Sequence, residues 1–258
     1  MFYLLSFLFG ASLGSFVQVV ATRLNVAKVM TTRSKCLSCG EALRAHDLIP
    51  ILSYLFLKGK CRYCKTSYGI TSLIVEIAFG IVFVLLYHFI FQHSPSVISA
   101  ALWLLYYSLL CITLGVIALY DKVHTYIPVY YLIAYLALTS WIWVLRYAYN
   151  PSWTEIAAPF LIAMPFFLIW LFSKGRALGF GDVVLFFGVG AFFGLTQGVA
   201  VFLISIWVGA IVGAVIYFLK PQSERKNLAI PFVPFIVFAF LFVLFTDIDI
   251  FSIASLFA

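Results

Sequence analysis

Charge is scarce in this chain: only 10% of its 258 residues are Asp, Glu, Lys or Arg, against 65% hydrophobic and 19% aromatic. A water-soluble fold of this length has too little interior to bury so much apolar surface, which excludes a soluble globular protein. Short strands of alternating polarity are also missing, which excludes a membrane β-barrel. Lipid offers the backbone no water, so the remaining way to cross it is as helices. No Lys or Arg precedes the first apolar run, so the N-terminus reads as an uncleaved first helix and not as a secretory signal. The fold class expected is all-α: a polytopic membrane protein of about eight transmembrane helices.

Eight apolar runs carry that expectation: Phe2 to Val20, then about 72–91, 97–119, 127–147, 154–173, 183–194, 198–219 and 229–246. They divide the chain into a first helix (1–22), a polar segment (23–71) and a seven-helix transmembrane domain (72–258). The run 183–194 falls short of the roughly 20 residues a span needs, so it reads as a half-helix or as one that begins before Asp182. Gly10, Ser12, Gly14 and Ser15 give the first helix a small-residue face suited to close packing. Of sixteen basic residues, nine (Arg23, Lys28, Arg33, Lys35, Arg44, Lys58, Lys60, Arg62 and Lys65) lie in 23–71. The positive-inside rule makes that loop cytoplasmic and puts the N-terminus outside, with Lys122, Lys174, Arg176, Lys220, Arg225 and Lys226 on the loop's side and Arg146 alone opposite. The net charge of +7 therefore marks topology, not a nucleic-acid partner. Trp141, Trp143, Tyr147, Tyr149 and Trp153 read as an interfacial belt on the outer side.

Cysteines are few, five in all, and four of them fall into one pattern: Cys36-x2-Cys39, 21 intervening residues, then Cys61-x2-Cys64. Each pair presents two thiolates to one ion, and two such knuckles complete a tetrahedral zinc site. Disulfides are the alternative, which a reducing cytoplasm disfavours. A thioredoxin-like use needs a βαβ setting that this loop lacks. His46, between the knuckles, reads as solvated because four cysteines already fill the shell. Cys111 reads as a buried packing residue.

Two of the nine acids stand where apolar runs meet. Asp121 lies in LGVIALYDKVHTYIP and Asp182 in LGFGDVVLFFGVG, neither with a basic residue on its own helix face. A carboxylate beside hydrocarbon is costly and marks water, a partner or chemistry. The threading brings both to one membrane face, Asp121 at the end of the third helix and Asp182 at the start of the sixth. A close pair there would share a proton, one member acting as base on a water while the other polarises a scissile carbonyl. Such a pair titrates as a unit, so neither aspartate has a fixed role. Gly179 and Gly181 would let the backbone turn closely beside the pair. On the residues alone, two other readings stand: Asp182 as an N-cap with Asp121 as a solvated helix end, or a metal-handling transporter, whose carboxylates belong nearer mid-membrane. Glu76 suits the positive end of the second helix or a site role, and His124 is a polar loop residue or a neighbour that tunes Asp121.

The segments GASLGSFVQVVATRL, CLSC, DLIPILSYLFLKGKCRYC, ALYDKVHTYIP and GRALGFGDVVLFFGVGAFFG together resemble the bacterial prepilin peptidases, the type IV leader peptidase family of GxGD aspartyl proteases. Gln18, Leu37 and Val184 depart from the family's usual Asn, Pro and Lys. The resemblance implies a membrane aspartyl endopeptidase with Asp121 and Asp182 as the catalytic pair, Gly179 and Gly181 at the turn beside it, and Cys36, Cys39, Cys61 and Cys64 as metal ligands. It implies prepilin or pseudopilin substrates cut after Gly, between a short basic leader and an apolar helix, with membrane lipid as the other partner. It also implies methylation of the new N-terminus from S-adenosylmethionine in some members. Tyr120-Asp121 with Gly179-x-Gly181-Asp182 resembles the presenilin branch too. That branch carries Pro-Ala-Leu near its C-terminus, where this chain reads NLAIPFVPF.

Overall fold

The structure of the protein, a computed structural model, describes residues 1–24, 34–36, 38–176, 178–221 and 230–251. Lys28, Arg33, Leu37, Arg225 and Lys226 lie outside the described residues. Among the described residues eight α-helices occur in order: α1 (Phe2–Arg23), α2 (Leu52–Leu57), α3 (Thr71–His93), α4 (Val97–His124), α5 (Val129–Tyr149), α6 (Trp153–Ser173), α7 (Phe180–Leu219) and α8 (Val233–Thr246). Among the described residues extended pairing is limited to two isolated bridges. Within these residues six helices (α1, α3, α4, α5, α6 and α7) are long and apolar enough to cross a membrane, and α8 is a shorter apolar helix.

The eight expected runs map onto these seven apolar helices because α7 contains two of them. Its two limbs meet at Gly194, whose φ of 74° and ψ of −164° break the helical path, a conformation open to glycine but strained for other residues. The run that looked too short to span is therefore the first limb of a longer helix, and it begins before Asp182. Arg146 explains why the bend is held. Its guanidinium forks onto Glu155, Nε to Oε2 at 3.0 Å and Nη2 to Oε1 at 2.9 Å, while Nη1 donates to the Phe192 carbonyl at 3.2 Å beside the break. A side chain at Gly194 would collide with Nη2 of that guanidinium.

The chain forms two compact units, Met1–Val116 and Ile117–Ala258, the division falling inside α4. In the first, α1 lies against α3 at the small residues expected to pack: a Cβ at Gly10 would come 2.5 Å from the Phe79 carbonyl oxygen, and Gly14 is similarly tight. Ser12 instead bonds its own helix at the Leu8 carbonyl. The polar segment belongs to this unit. In the second unit α7 is the central helix, packed by α5, α6 and α8. Phe166 of α6 stacks on Phe186 of α7 at 3.9 Å, and Phe232, just before α8, leans on both rings. The Tyr135 hydroxyl of α5 donates to the Leu185 carbonyl at 3.1 Å. Of the aromatic belt, Trp141, Tyr147, Tyr149 and Trp153 are exposed, whereas Trp143 Nε1 donates to the Glu155 carbonyl at 2.7 Å.

Candidate active site and metal centre

Asp121 lies in the last turn of α4, and the residues on its C-terminal side shape the site. The Thr125 N–H donates to the Asp121 carbonyl at 2.8 Å. Thr125 then takes φ 58°, an uncommon left-handed value for a β-branched residue, and stops the helix directly behind the carboxylate. Tyr126 folds back so that its hydroxyl bonds that of the buried Tyr120, while the His124 ring lies over the same tyrosine at 4.3 Å. His124 thus has an aromatic neighbour as its seat. Next in the chain, Ile127 packs against the start of α7: a Cβ on Gly181 would meet its Cδ1 at 2.7 Å. Gly181 therefore serves close approach, and Gly179 is the N-cap of α7, with φ −74° and ψ 146°.

Asp182 is the third residue of α7, its own N–H bonded to the Gly179 carbonyl at 3.2 Å. It is partly exposed, whereas Asp121 is only 7% exposed. The alternative reading of two ordinary helix ends fails on both counts, since Gly179 and not Asp182 caps the helix and Asp121 is buried. Ile127, six residues after Asp121, packs on Gly181, directly before Asp182, so the end of α4 and the start of α7 adjoin. Beside the Asp182 turn an apolar hollow of about 530 Å³ is lined by residues including Phe160, Met164, Phe167, Phe180 and Val184.

One participant leaves no mark in the sequence around the aspartates. The N–H of Val233, the first residue of α8, donates to Asp121 Oδ2 at 3.3 Å. A helix start has unbonded N–H groups and a positive dipole end, and here a carboxylate from another helix meets them. The signal for a helix start was present in Pro231 and Pro234 bracketing Val233, but nothing local names its partner.

The four cysteines converge. Cys36, Cys39, Cys61 and Cys64 have Sγ atoms all within 4.8 Å of one another, and their thiols are free. The two knuckles are built alike: Cys36 N–H bonds the Glu41 carbonyl and Cys61 N–H the Thr66 carbonyl, both at 2.9 Å, and the residue after each second cysteine, Gly40 or Lys65, is left-handed. Sulfurs about 2.3 Å from one tetrahedral ion lie roughly 3.8 Å apart, and Cys36 Sγ and Cys64 Sγ are 3.8 Å apart. The Thr66 side chain and backbone pull the Cys64 thiol down to about 6, and the N–H groups of Cys39 and Ser38 lower that of Cys36. Cys39 moves the other way: the Glu41 N–H favours its thiolate, but burial and the adjoining Cys36 and Cys64 thiols outweigh it and push it up to about 11. Thiols so crowded cannot all ionise unless a cation joins them, and this donor set fits one metal ion. His46 stays outside the cluster, half-exposed and 3.5 Å from Asp47.

Asp47 ties the knuckles together, accepting from Arg62 Nε at 2.7 Å and from the Arg44 N–H at 3.2 Å. Glu76 is buried in α3, where its Oε2 accepts from the Ile51 N–H at 2.7 Å, and so it holds the polar segment to the helix.

Residues 8–90 match the Bacterial Peptidase A24 N-terminal domain, and residues 108–214 match the Type IV leader peptidase family. A Prepilin leader peptidase/N-methyltransferase of Vibrio cholerae serotype O1 is 29% identical over 250 residues, covering 91% of this chain and 92% of that protein. Proteins of the same name are 28% identical in Bacillus subtilis, over 88% of each chain, and 29% identical in Burkholderia pseudomallei, over 79% of this chain and 64% of that one. No solved structure matches the chain. The first match takes in most of α1, the cysteine knuckles and most of α3, and the second takes in both aspartates and most of α7, so that the chain belongs to the type IV leader peptidase family.

Proposed function

We propose that this chain is a prepilin peptidase of the bacterial inner membrane, an aspartyl endopeptidase that removes the short basic leader of prepilins or pseudopilins. The observation that carries the reading is the buried Asp121, fixed by the Val233 N–H at the end of α4, with the partly exposed Asp182 at the start of α7, where Ile127 packs on Gly181. In the proposed reaction one carboxylate takes a proton from water, whose oxygen adds to the scissile carbonyl. The protonated partner donates to that carbonyl oxygen, and collapse of the intermediate releases the new amine with its proton. The apolar hollow beside Asp182 suits a substrate whose cleaved bond adjoins an apolar helix. Placement of both carboxylates at helix ends supports hydrolysis at the membrane face over a transport path, and Lys122 and Lys174, close in sequence to the two aspartates, argue that this face is cytoplasmic. Zinc in the four-cysteine cluster supplies structure to the loop. N-methylation from S-adenosylmethionine, the second activity in the relatives' name, is proposed with it.

The test uses purified protein in lipid nanodiscs and a prepilin carrying its leader. Asp121→Asn and Asp182→Asn are each expected to lower the cleavage rate more than about a hundredfold, since general acid–base catalysis alone contributes about 10² to 10⁴. Both variants should still accumulate in the membrane. A near-normal rate from either would remove that aspartate from the mechanism.

A further inference from the structure

We propose that α2, the short helix between the two cysteine knuckles, is an interfacial anchor that lays its apolar side chains onto a bilayer surface bearing anionic headgroups. Its six residues read LSYLFL, yet none of them is buried. Leu52, Leu55 and Phe56 are exposed, Phe56 by 82%, and the preceding Leu48 and Ile49 are exposed with them. A contiguous apolar patch of this kind on a polar domain marks a surface that meets something other than water.

Two observations say what covers it. The first is depth. The residue just before α2, Ile51, donates its N–H to Glu76 Oε2 at 2.7 Å, and Glu76 sits five residues into α3, about 7.5 Å along a helix that is apolar enough to span a membrane. The start of α2 is therefore tethered at the level where α3 enters the bilayer. Ile51 takes φ 64° and ψ −53° at the centre of a tight turn in which the Leu52 N–H donates to the Pro50 carbonyl at 2.6 Å. The second is charge. Lys58 comes directly after α2, Lys60 and Lys65 stand close behind it, and all three are exposed. An apolar face beside a row of lysines is the composition of a segment that lies in the headgroup layer of an anionic membrane. The same lysines would repel a cationic peptide, which argues against a basic leader as the occupant.

Phe56→Trp tests this, because an 82% exposed side chain is replaced without disturbing a core. The fluorescence added by the new indole, read as the difference from the parent protein in nanodiscs, is expected to be lost when the lipid acyl chains are brominated and to resist aqueous iodide. The loss should be greater in phosphatidylglycerol than in phosphatidylcholine, and Lys58→Gln with Lys60→Gln and Lys65→Gln should abolish that difference. Full quenching by iodide with none by brominated lipid would overturn the anchor. Equal loss in the two lipids would overturn the role given to the lysines. Protection from iodide that appears only when prepilin is added would assign the patch to substrate and overturn the proposal likewise.

Discussion

The backbone N–H of Val233 donates to Asp121 Oδ2 at 3.3 Å, joining the start of α8 to the end of α4 across 112 positions of the chain. A backbone donor at a helix start is held rigidly by the helix behind it, so it fixes one carboxylate oxygen without ordering a flexible side chain. Val233 is also the first helical residue, where proline is favoured because the N–H has no partner within its own helix. Val233→Pro deletes that hydrogen bond, and because Phe232 before it is helical at φ −92° and ψ −29°, a region disfavoured before proline, the variant's thermal stability is measured beside its rate. A hydrogen bond to a charged group is worth about 1.5–3 kcal/mol, which sets the expected fall in kcat at about 10- to 100-fold, with KM unchanged. Val233→Ala, which keeps the N–H, should cleave normally. Steady-state kinetics on both variants decide whether α8 positions the carboxylate.

One zinc per chain is expected in protein purified from metal-replete cells, measured by elemental analysis against protein concentration. Cys64→Ser should lower the ratio to near zero and make the segment 34–65 sensitive to protease, because the ion supplies much of the ordering of a structural site. Less than about half an equivalent in the parent protein, with the thiols recovered as disulfides, would exclude zinc here.

Acid should loosen the knuckles by a route separate from the thiols. Burial opposes the charge of Asp47, but Arg62 and the Arg44 N–H outweigh it and hold the carboxyl below its ordinary 3.8. A carboxylate depressed in the folded state stabilises fully above its unfolded value of about 3.9. That contribution disappears as pH falls through the lower folded value. Hydrogen exchange in 34–65 is expected to be unaffected by this group from pH 7 down to about 4 and to accelerate below it. Asp47→Asn should remove the step and cost about 1–3 kcal/mol at neutral pH, towards the lower figure because Arg62 is nearly half exposed.

Arg146→Met leaves Glu155 without its partner in a segment of low polarity, and the Phe192 carbonyl at the α7 bend loses a donor. Thermal unfolding in detergent should show a loss larger than that of Arg146→Met combined with Glu155→Gln, because the double variant leaves no unpaired charge. Additive losses would mean that the pair contributes no coupling.

The sequence made the helical class, the two aspartates and the cysteine pattern legible because each rests on a local signal: apolar run length, an acid at a run boundary, a fixed thiol spacing. Run length alone divided α7 in two, and the division is physically sound, since Gly194 does break the path there. What composition could not reveal is pairing at a distance. Nothing near Asp121 points to Val233, nothing near Glu76 points to Ile51, and Gly181 looked like a turn residue when its missing side chain makes room for Ile127. Each of these depends on which elements the fold sets side by side.

The Arg146 fork also bears on how the chain enters its membrane. Between Val129 and Ser173 the sequence contains one cation and one anion, Arg146 and Glu155, and they are bonded to each other across the α5–α6 connection. The hairpin can therefore be handed to the bilayer as an electrically neutral package. The orientation rule counts Lys and Arg and gives acids little weight, so Arg146 still weighs for its own side, where the basic residues on the two flanks, Lys122 before the hairpin and Lys174 and Arg176 after it, outnumber it.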